Sequence, residues 1–399
     1  MKEKRAEKNQ VRVMILPEYG KQKLLTYADS FKDLADVFKK FDSGDDERET
    51  AGADRSEYLY RRKVLENREI MAGHLHEMAQ IMTEVAKVSF AYVPLSDRKA
   101  RQVAHALKQE GISLKEIHYI ENTNGRLEIG ALLASEKTKG ITGEEAAAIL
   151  SVLFDKRLMV SKETDYYLDE KYRDFHFIEE PAYIVLTGTA KAVKENESVS
   201  GDNFSQFEMD KSGLVMMISD GMGSGEKACA DSLRVLDLME RMLSAGFSGE
   251  SAVQMVNTSL SMGGAESNMS TLDVCFLNLY EGTMELTKVG AASTYLKRDN
   301  MVEQISSHNL PLGVFGKLEP EVTTRKLIDG DYIIMVSDGV LDGLSQGIGE
   351  EVLSEVISRI TLENPAEIAG YLLNYVIRSC KGAIRDDMTV LVAGIWENT

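Results

Sequence analysis

The tripeptide Ser-Asp-Gly occurs twice, each time directly after a short unbroken apolar run. One run, 215–218, leads into Ser219-Asp220-Gly221, and the other, 333–336, leads into Ser337-Asp338-Gly339. Runs this short read as strands buried on both faces, far below the ~20 residues that span a bilayer. A carboxylate at the end of such a strand is held at a fixed place on the rim of a sheet. A third acidic pair, Asp386-Asp387, stands directly before the apolar run 388–395. Two strand ends and one strand start can all lie on one sheet edge, provided the third strand runs antiparallel.

A fourth carboxylate can be placed by counting. A hairpin turn centred between Lys211 and Ser212 pairs residues whose numbers sum to about 423, which sets Asp202 opposite Gly221 and beside Asp220. Four carboxylates this close cannot all stay ionised without compensation. Hard divalent cations supply it, and oxygen-only ligands with no nearby His or Cys favour Mn²⁺ or Mg²⁺ over Zn²⁺. A glycine after each strand-end aspartate lets the backbone come close, so the Gly221 carbonyl can join the ligand set. Asp-Gly can also serve simply as a turn; the matching strands and the hairpin register argue for a site.

The rest of the chain divides around this strand-rich part. Residues 1–90 read as a helical segment. Leu24, Leu25, Phe31, Leu34, Val37 and Phe38 fall at helical spacings, and 42–56 is a polar linker. Val64, Met71, Leu75, Met78, Met82 and Val85 then recur at steps of seven, four and three, interrupted at Arg68. Such a seam suits either a helix packed on its own domain or one that pairs with a second copy into a homodimer. Residues 91–180 read as a small α/β module, with a helix over 96–109 and strands over 112–120 and 126–133 around Asn124-Gly125. A Thr142/Glu145 capping box opens a further helix in it. Its His105 and His118 are isolated and read as structural. Residues 181–399 carry three hairpins, helices over 226–245 and 250–260, and a late helix capped by Asn364 with Pro365 at its first position. The expected fold is α+β: an antiparallel β-sandwich flanked by helices, preceded by the helical segment and the α/β module.

Composition narrows the function. The 399 residues carry a formal net charge of -18, which argues against nucleic-acid binding through a basic face. A chain this acidic that handles phosphate needs local positive charge, and bound cations are the obvious source. Cys229, Cys275 and Cys380 are scattered without a pairing pattern, as in a reducing cytosol. The opening residues lack the apolar core of a signal peptide. Cys380 comes near a thiolate phosphatase motif, but Arg385 follows after too few residues and Asp386 occupies the place required.

At these residues the chain resembles the type 2C, metal-dependent protein phosphatases, and among them the stage II sporulation protein E group. The segments that carry the resemblance begin with Ser200-Gly201-Asp202, 219–225 and Ser270-Thr271-Leu272-Asp273. Lys288-Val289-Gly290, 309–313, Ser337-Asp338-Gly339 and 385–389 follow in family order. A weaker likeness covers 25–31. The resemblance implies that Asp220, Asp338 and Asp386 bind two or more Mn²⁺ or Mg²⁺ ions, with the Gly221 carbonyl assisting and Asp202 reaching them through waters. It leaves Asp387 without a clear role. The chemistry this permits is in-line attack on phosphorus by a water acidified between two cations.

The resemblance further implies a serine/threonine phosphoprotein phosphatase, with 181–399 as its catalytic domain and 91–180 as a regulatory module. The implied substrate is a phosphorylated anti-anti-sigma protein whose dephosphorylation activates a sporulation sigma factor. Cell-division proteins are further implied partners. The expected location is cytoplasmic, at the inner face of the membrane or the division septum if a membrane region outside this chain holds it there. Two other readings are a non-catalytic scaffold at the division site and a hydrolase of small phosphate esters.

Overall fold

The protein is described by a computed structural model covering residues 24–36, 55–88, 92–121, 126–136, 140–161, 166–209, 213–261, 269–307, 309–313, 318, 320–344 and 348–398. The expected turn at Asn124-Gly125, most of the 42–56 linker, and Val37 and Phe38 lie outside these residues. Contacts divide the chain into two units, one comprising 1–37 and 75–180, the other 38–74 and 181–399.

Helix α1 covers residues 24–36, and α2 is the long helix Arg55–Val88. The heptad read from the sequence is buried only in part, with Leu75, Met78 and Met82 half-buried. Met71 and Val85 are exposed, whereas Ala72, Ala79 and Ala86 are fully buried. On α1, likewise, Ala28 and Ala35 are buried and Leu34 is exposed. Small residues seven apart allow closer packing than the larger apolar ones beside them.

The first unit holds a five-stranded antiparallel sheet. Its strands are β1 (Tyr92–Pro94), β2 (Ile112–Glu121), β3 (Leu127–Ser135), β4 (Leu158–Val160) and β5 (Arg173–Glu179), in the order β1-β2-β3-β5-β4. Two helices complete it. The first, α3 (Asp97–Gln109), starts at Ser96, whose hydroxyl accepts from the Lys99 N–H. The second, α4 (Gly143–Phe154), starts at the Thr142/Glu145 capping box. Val103, Leu107, Leu150, Phe175 and Phe177 share one core between these helices and the sheet.

The second unit is a sandwich of two five-stranded antiparallel sheets. The first sheet has the order β13-β10-β9-β8-β7, with β7 Asp202–Met209, β8 Gly213–Asp220, β9 Leu272–Asn278, β10 Thr283–Val289 and β13 Glu321–Lys326. The second has the order β12-β11-β14-β15-β6, with β6 Tyr183–Ala192, β11 Thr294–Arg298, β12 Met301–Ile305, β14 Asp331–Val336 and β15 Met388–Glu397. Alternation along the strands builds four layers. Met216 and Ile218 of β8 meet Ile333 and Met335 of β14 between the sheets. Val215 and Met217 face outward onto α5 (Gly225–Ser244) and α6 (Gly249–Ser261). Ile334, Val336, Val390 and Val392 face the opposite way, onto α8 (Gly349–Ser358) and α9 (Pro365–Ser379). Helix α9 has the expected Asn364 cap and Pro365. Five-residue α7 (Asp338–Asp342) follows β14 at once, where the sequence reading placed no element. Among the described residues no helix is long and apolar enough to cross a membrane.

Candidate metal centre

Strands β7 and β8 pair from Met209↔Gly213 to Asp202↔Asp220, one residue away from the register counted on the sequence. Asp202 therefore lies directly across the ladder from Asp220 rather than from Gly221, and both carboxylates leave the same face. That face is the sandwich interior, because Asp220 continues the row of Met216 and Ile218. From the other sheet, β14 ends at Val336 and β15 begins at Met388 beside it, the two strands antiparallel. Asp338 and Asp386 are thus brought to the same end of the sandwich. The site is not one sheet edge, as the sequence suggested, but the rim where two facing sheets meet. Thr389 of β15 ties them together, its hydroxyl donating to Asp202 Oδ2 at 2.9 Å.

Burial dominates the electrostatics. It raises the Asp220 pKa to about 9, helped by the neighbouring charges of Asp202 and Asp338. Asp202 is raised by burial, against hydrogen bonds from Ser337 and Thr389 that favour its ionised form. Asp338 is raised by burial and then by the charge of Asp386. Asp220 hydrogen-bonds both Asp202 and Asp338. Asp386 is half-buried, with the Lys194 ammonium 3.8 Å from its Oδ1.

Among the described residues no three or more His, Cys, Asp or Glu side chains already close around one point as a finished cation cage. The donor chemistry still fits a hard divalent cation. The ligands are oxygens, they converge from two sheets, and burial raises the pKa of Asp202, Asp220 and Asp338, a shift that bound positive charge would offset.

The neighbours of the aspartates show how the rim is fixed. Asp387 is buried and anchors the backbone, accepting from the Lys194 N–H at 2.9 Å and the Gly201 N–H at 2.7 Å. It holds the segment leading into Asp202. Ser270 donates its hydroxyl to the Asp220 carbonyl at 2.7 Å, and Thr271 Oγ1 accepts from the Asp220 N–H at 3.2 Å. The glycines that follow the aspartates serve close packing. A Cβ on Gly221 would stand 2.1 Å from the Ala228 carbonyl oxygen of α5, and one on Gly339 would stand 2.1 Å from that of Asp387.

Beneath the rim, Lys288 and Asp273 face each other across the β9–β10 ladder as a buried ion pair. Thr294 of the facing sheet accepts from Lys288 Nζ at 2.9 Å and donates to Asp273 Oδ2 at 2.6 Å. A cavity of about 20 Å³, lined by Asp220, Asp273 and Asp338 among others, separates this triad from the carboxylates. The sequence reading assigned no role to Thr389, Thr271 or the triad. Counting across a hairpin centred on Glu281-Gly282 would have set Lys288 opposite Cys275, two residues from its observed partner Asp273. Cys380 caps the end of α9 and donates its thiol to the Ile377 carbonyl at 3.3 Å.

Two family models match the chain. One, described as stage II sporulation protein E (SpoIIE), covers residues 210–396, and the other, the SpoIIE regulatory domain, covers 46–178. The stage II sporulation protein E of Priestia megaterium is 29% identical over 338 residues, 84% of this chain and 58% of that protein. The Bacillus subtilis (strain 168) protein of that name is 28% identical over 340 residues, 85% of this chain and 41% of its own length. The chain thus spans about half the length of these relatives. A solved structure is also similar: the PP2C phosphatase domain with a fragment of the regulatory domain of the cell fate determinant SpoIIE from Bacillus subtilis. Its TM-score is 0.62 at 28% identity, covering 85% of this chain and 96% of that one. On its sequence, its sandwich and its carboxylate rim, the chain belongs to the stage II sporulation protein E family of type 2C protein phosphatases.

Proposed function

We propose that the protein is a metal-dependent serine/threonine phosphoprotein phosphatase, with Asp220, Asp338 and Asp386 as its metal-binding catalytic residues. The observation that carries this reading is the convergence of these carboxylates, with the buried Asp202, from two sheets onto one rim of the sandwich. Bound Mn²⁺ or Mg²⁺ supplies Lewis-acid charge that acidifies water and neutralises phosphoryl oxygens. Asp220 ends β8 and Asp338 follows β14, so the two sheets fix where their backbones stand. The Gly221 carbonyl would join Asp220 in holding an ion. Asp202, ordered by the Thr389 hydroxyl, would act through bound water rather than as a direct ligand. Asp387 holds the backbone around the site.

The substrate class we propose is a phosphoserine protein of the anti-anti-sigma type, so that dephosphorylation activates a sporulation sigma factor. Family membership supports this assignment. Residues 91–180 are proposed to regulate the catalytic domain at 181–399, and α2 to serve that regulation as a dimer contact. The first test is phosphate release from a phosphoserine protein with and without added Mn²⁺. Release is expected only with the metal. Asp220→Asn, Asp338→Asn and Asp386→Asn should each lower it by about a thousandfold or more, several kcal/mol of transition-state stabilisation. Near-normal turnover in any of the three at saturating Mn²⁺ would remove that residue from the site.

A further inference from the structure

A second, larger cavity opens beside Asp386. It encloses about 470 Å³ between α7, the end of α9 and the segment that leads into β15. Its floor includes Leu344 and Met388, and its charged lining is Asp342, Lys381, Arg385 and Asp386. This volume lies within the ~300–1,000 Å³ of clefts that enclose a ligand, and exceeds what a lone phosphoryl group requires.

The two cations in this lining are uncommitted. Lys381 and Arg385 are exposed, and among the described residues neither side chain makes a hydrogen bond or ion pair. Lys381 is also held in the left-handed region at φ 59°, a conformation that is costly for a residue with a Cβ, and Gly382 follows at φ 83°. This left-handed turn closes α9, with the Gly382 N–H donating to the Ile377 carbonyl at 2.8 Å and the Lys381 N–H to the Arg378 carbonyl at 3.1 Å. Here it places a lysine at the mouth of the cleft.

Charge balance says what the cleft would accept. If Asp386 serves bound cations, the remaining charges of the lining are Lys381 and Arg385 against Asp342, a net positive groove in a chain of net charge -18. Lys194, 3.8 Å from Asp386 on the rim, adds to it. The acidity of the whole chain is screened beyond ~8 Å at physiological salt, so a contacting ligand responds to these nearby cations.

We propose that this cleft is the docking groove for the polypeptide beside the phosphorylated residue, and that Lys381 and Arg385 select substrates with acidic side chains flanking the phosphoserine. This assignment rests on the phosphatase reading, because it takes Asp386 as the point where the phosphoryl group arrives. A peptide bound along the groove lays its backbone over Leu344 and Met388 and its carboxylates against Lys381 and Arg385. Arg385 offers a planar fork suited to bidentate carboxylate recognition.

The test uses the full chain with Mn²⁺ and labelled synthetic peptides that carry a non-hydrolysable phosphonate analogue of phosphoserine. One peptide has aspartate and glutamate on both flanks and one has alanine there. Fluorescence anisotropy should show the acidic peptide binding about tenfold more tightly, with the preference falling as salt rises. Lys381→Ser with Arg385→Ser should remove the preference, and Arg385→Glu should turn it toward a peptide with lysine flanks. Equal affinities for the first two peptides, or a preference that survives in both variants, would overturn the proposal. So would equally tight binding of the acidic peptide without its phosphonate. Phosphate release from an aryl phosphate and from phosphoserine peptides tests the enzyme separately. Binding with acidic preference but no release under any metal would sink the phosphatase reading and leave the groove. Release without flank preference would sink the groove alone.

Discussion

Asp220 has Asp202 directly across the ladder and Asp338 reaching in from the facing sheet, and burial raises its pKa to about 9. In an unfolded chain the same group titrates near ~3.9. Between those values the folded, metal-free protein holds a proton that the unfolded chain has released. The stability this contributes is complete below the unfolded value and is lost as pH rises towards 9. The metal-free melting temperature should therefore fall between pH 5 and pH 9, and Asp220→Asn should flatten the decline. If Mn²⁺ binds at Asp220, binding at neutral pH should release that proton. Calorimetric titrations in two buffers of different ionisation enthalpy should then give different apparent enthalpies. Equal enthalpies would mean that the carboxylates are already ionised.

At the scale of elements, β8 is the strand on which the rim depends, and both of its faces are buried. Its even-numbered residues lie between the sheets and its odd-numbered ones meet α5 and α6, so neither row can slip by one residue without exposing a core. The Lys288–Asp273 pair and Thr294 bind β9 and β10 to β11 of the facing sheet below the carboxylates. Removing one member of such a pair leaves an uncompensated buried charge. Lys288→Met should cost about 3–5 kcal/mol in urea denaturation, while Lys288→Met with Asp273→Leu should recover most of the loss. A single variant as stable as the parent would show that the pair contributes nothing to holding the sheets together.

For the whole molecule, the described residues of the first unit include no cluster of carboxylates like that of the rim. Within the second unit, Gly221 packs so closely on Ala228 that the Asp220–Gly221 backbone and the first turn of α5 must move together. Gly223 and Gly225, at φ 105° and 74°, form the lead into that helix. If the proposed site binds metal, a change in the position of α5 should therefore change its metal affinity. A fragment beginning at Pro181 should differ from the full chain by at least about fivefold in the Mn²⁺ needed for half-maximal activity, within the usual range of coupling between sites. Leu75→Glu in the full chain should shift the requirement in the same direction. Superimposable titrations for all three proteins would mean that residues before 181 do not act on the site.

What the amino-acid order determined by itself is what a few neighbouring residues can encode. The Thr142/Glu145 capping box, the Asn364-Pro365 start of α9, the apolar runs of β8 and β14 and the aspartates at their ends were all legible, because capping, strand period and strand ends are local. The hairpin at 210–212 was legible too, though its register missed by one residue, since turn length alone leaves that choice open. Tertiary structure decided which sheet each strand joined. It made the site a rim between two sheets, gave Thr389 to Asp202 and Asp387 to the backbone of Lys194 and Gly201, and selected alanines rather than methionines as the buried row of α2. Each of these depends on pairing and layering between residues far apart in the chain, which local periodicity does not specify.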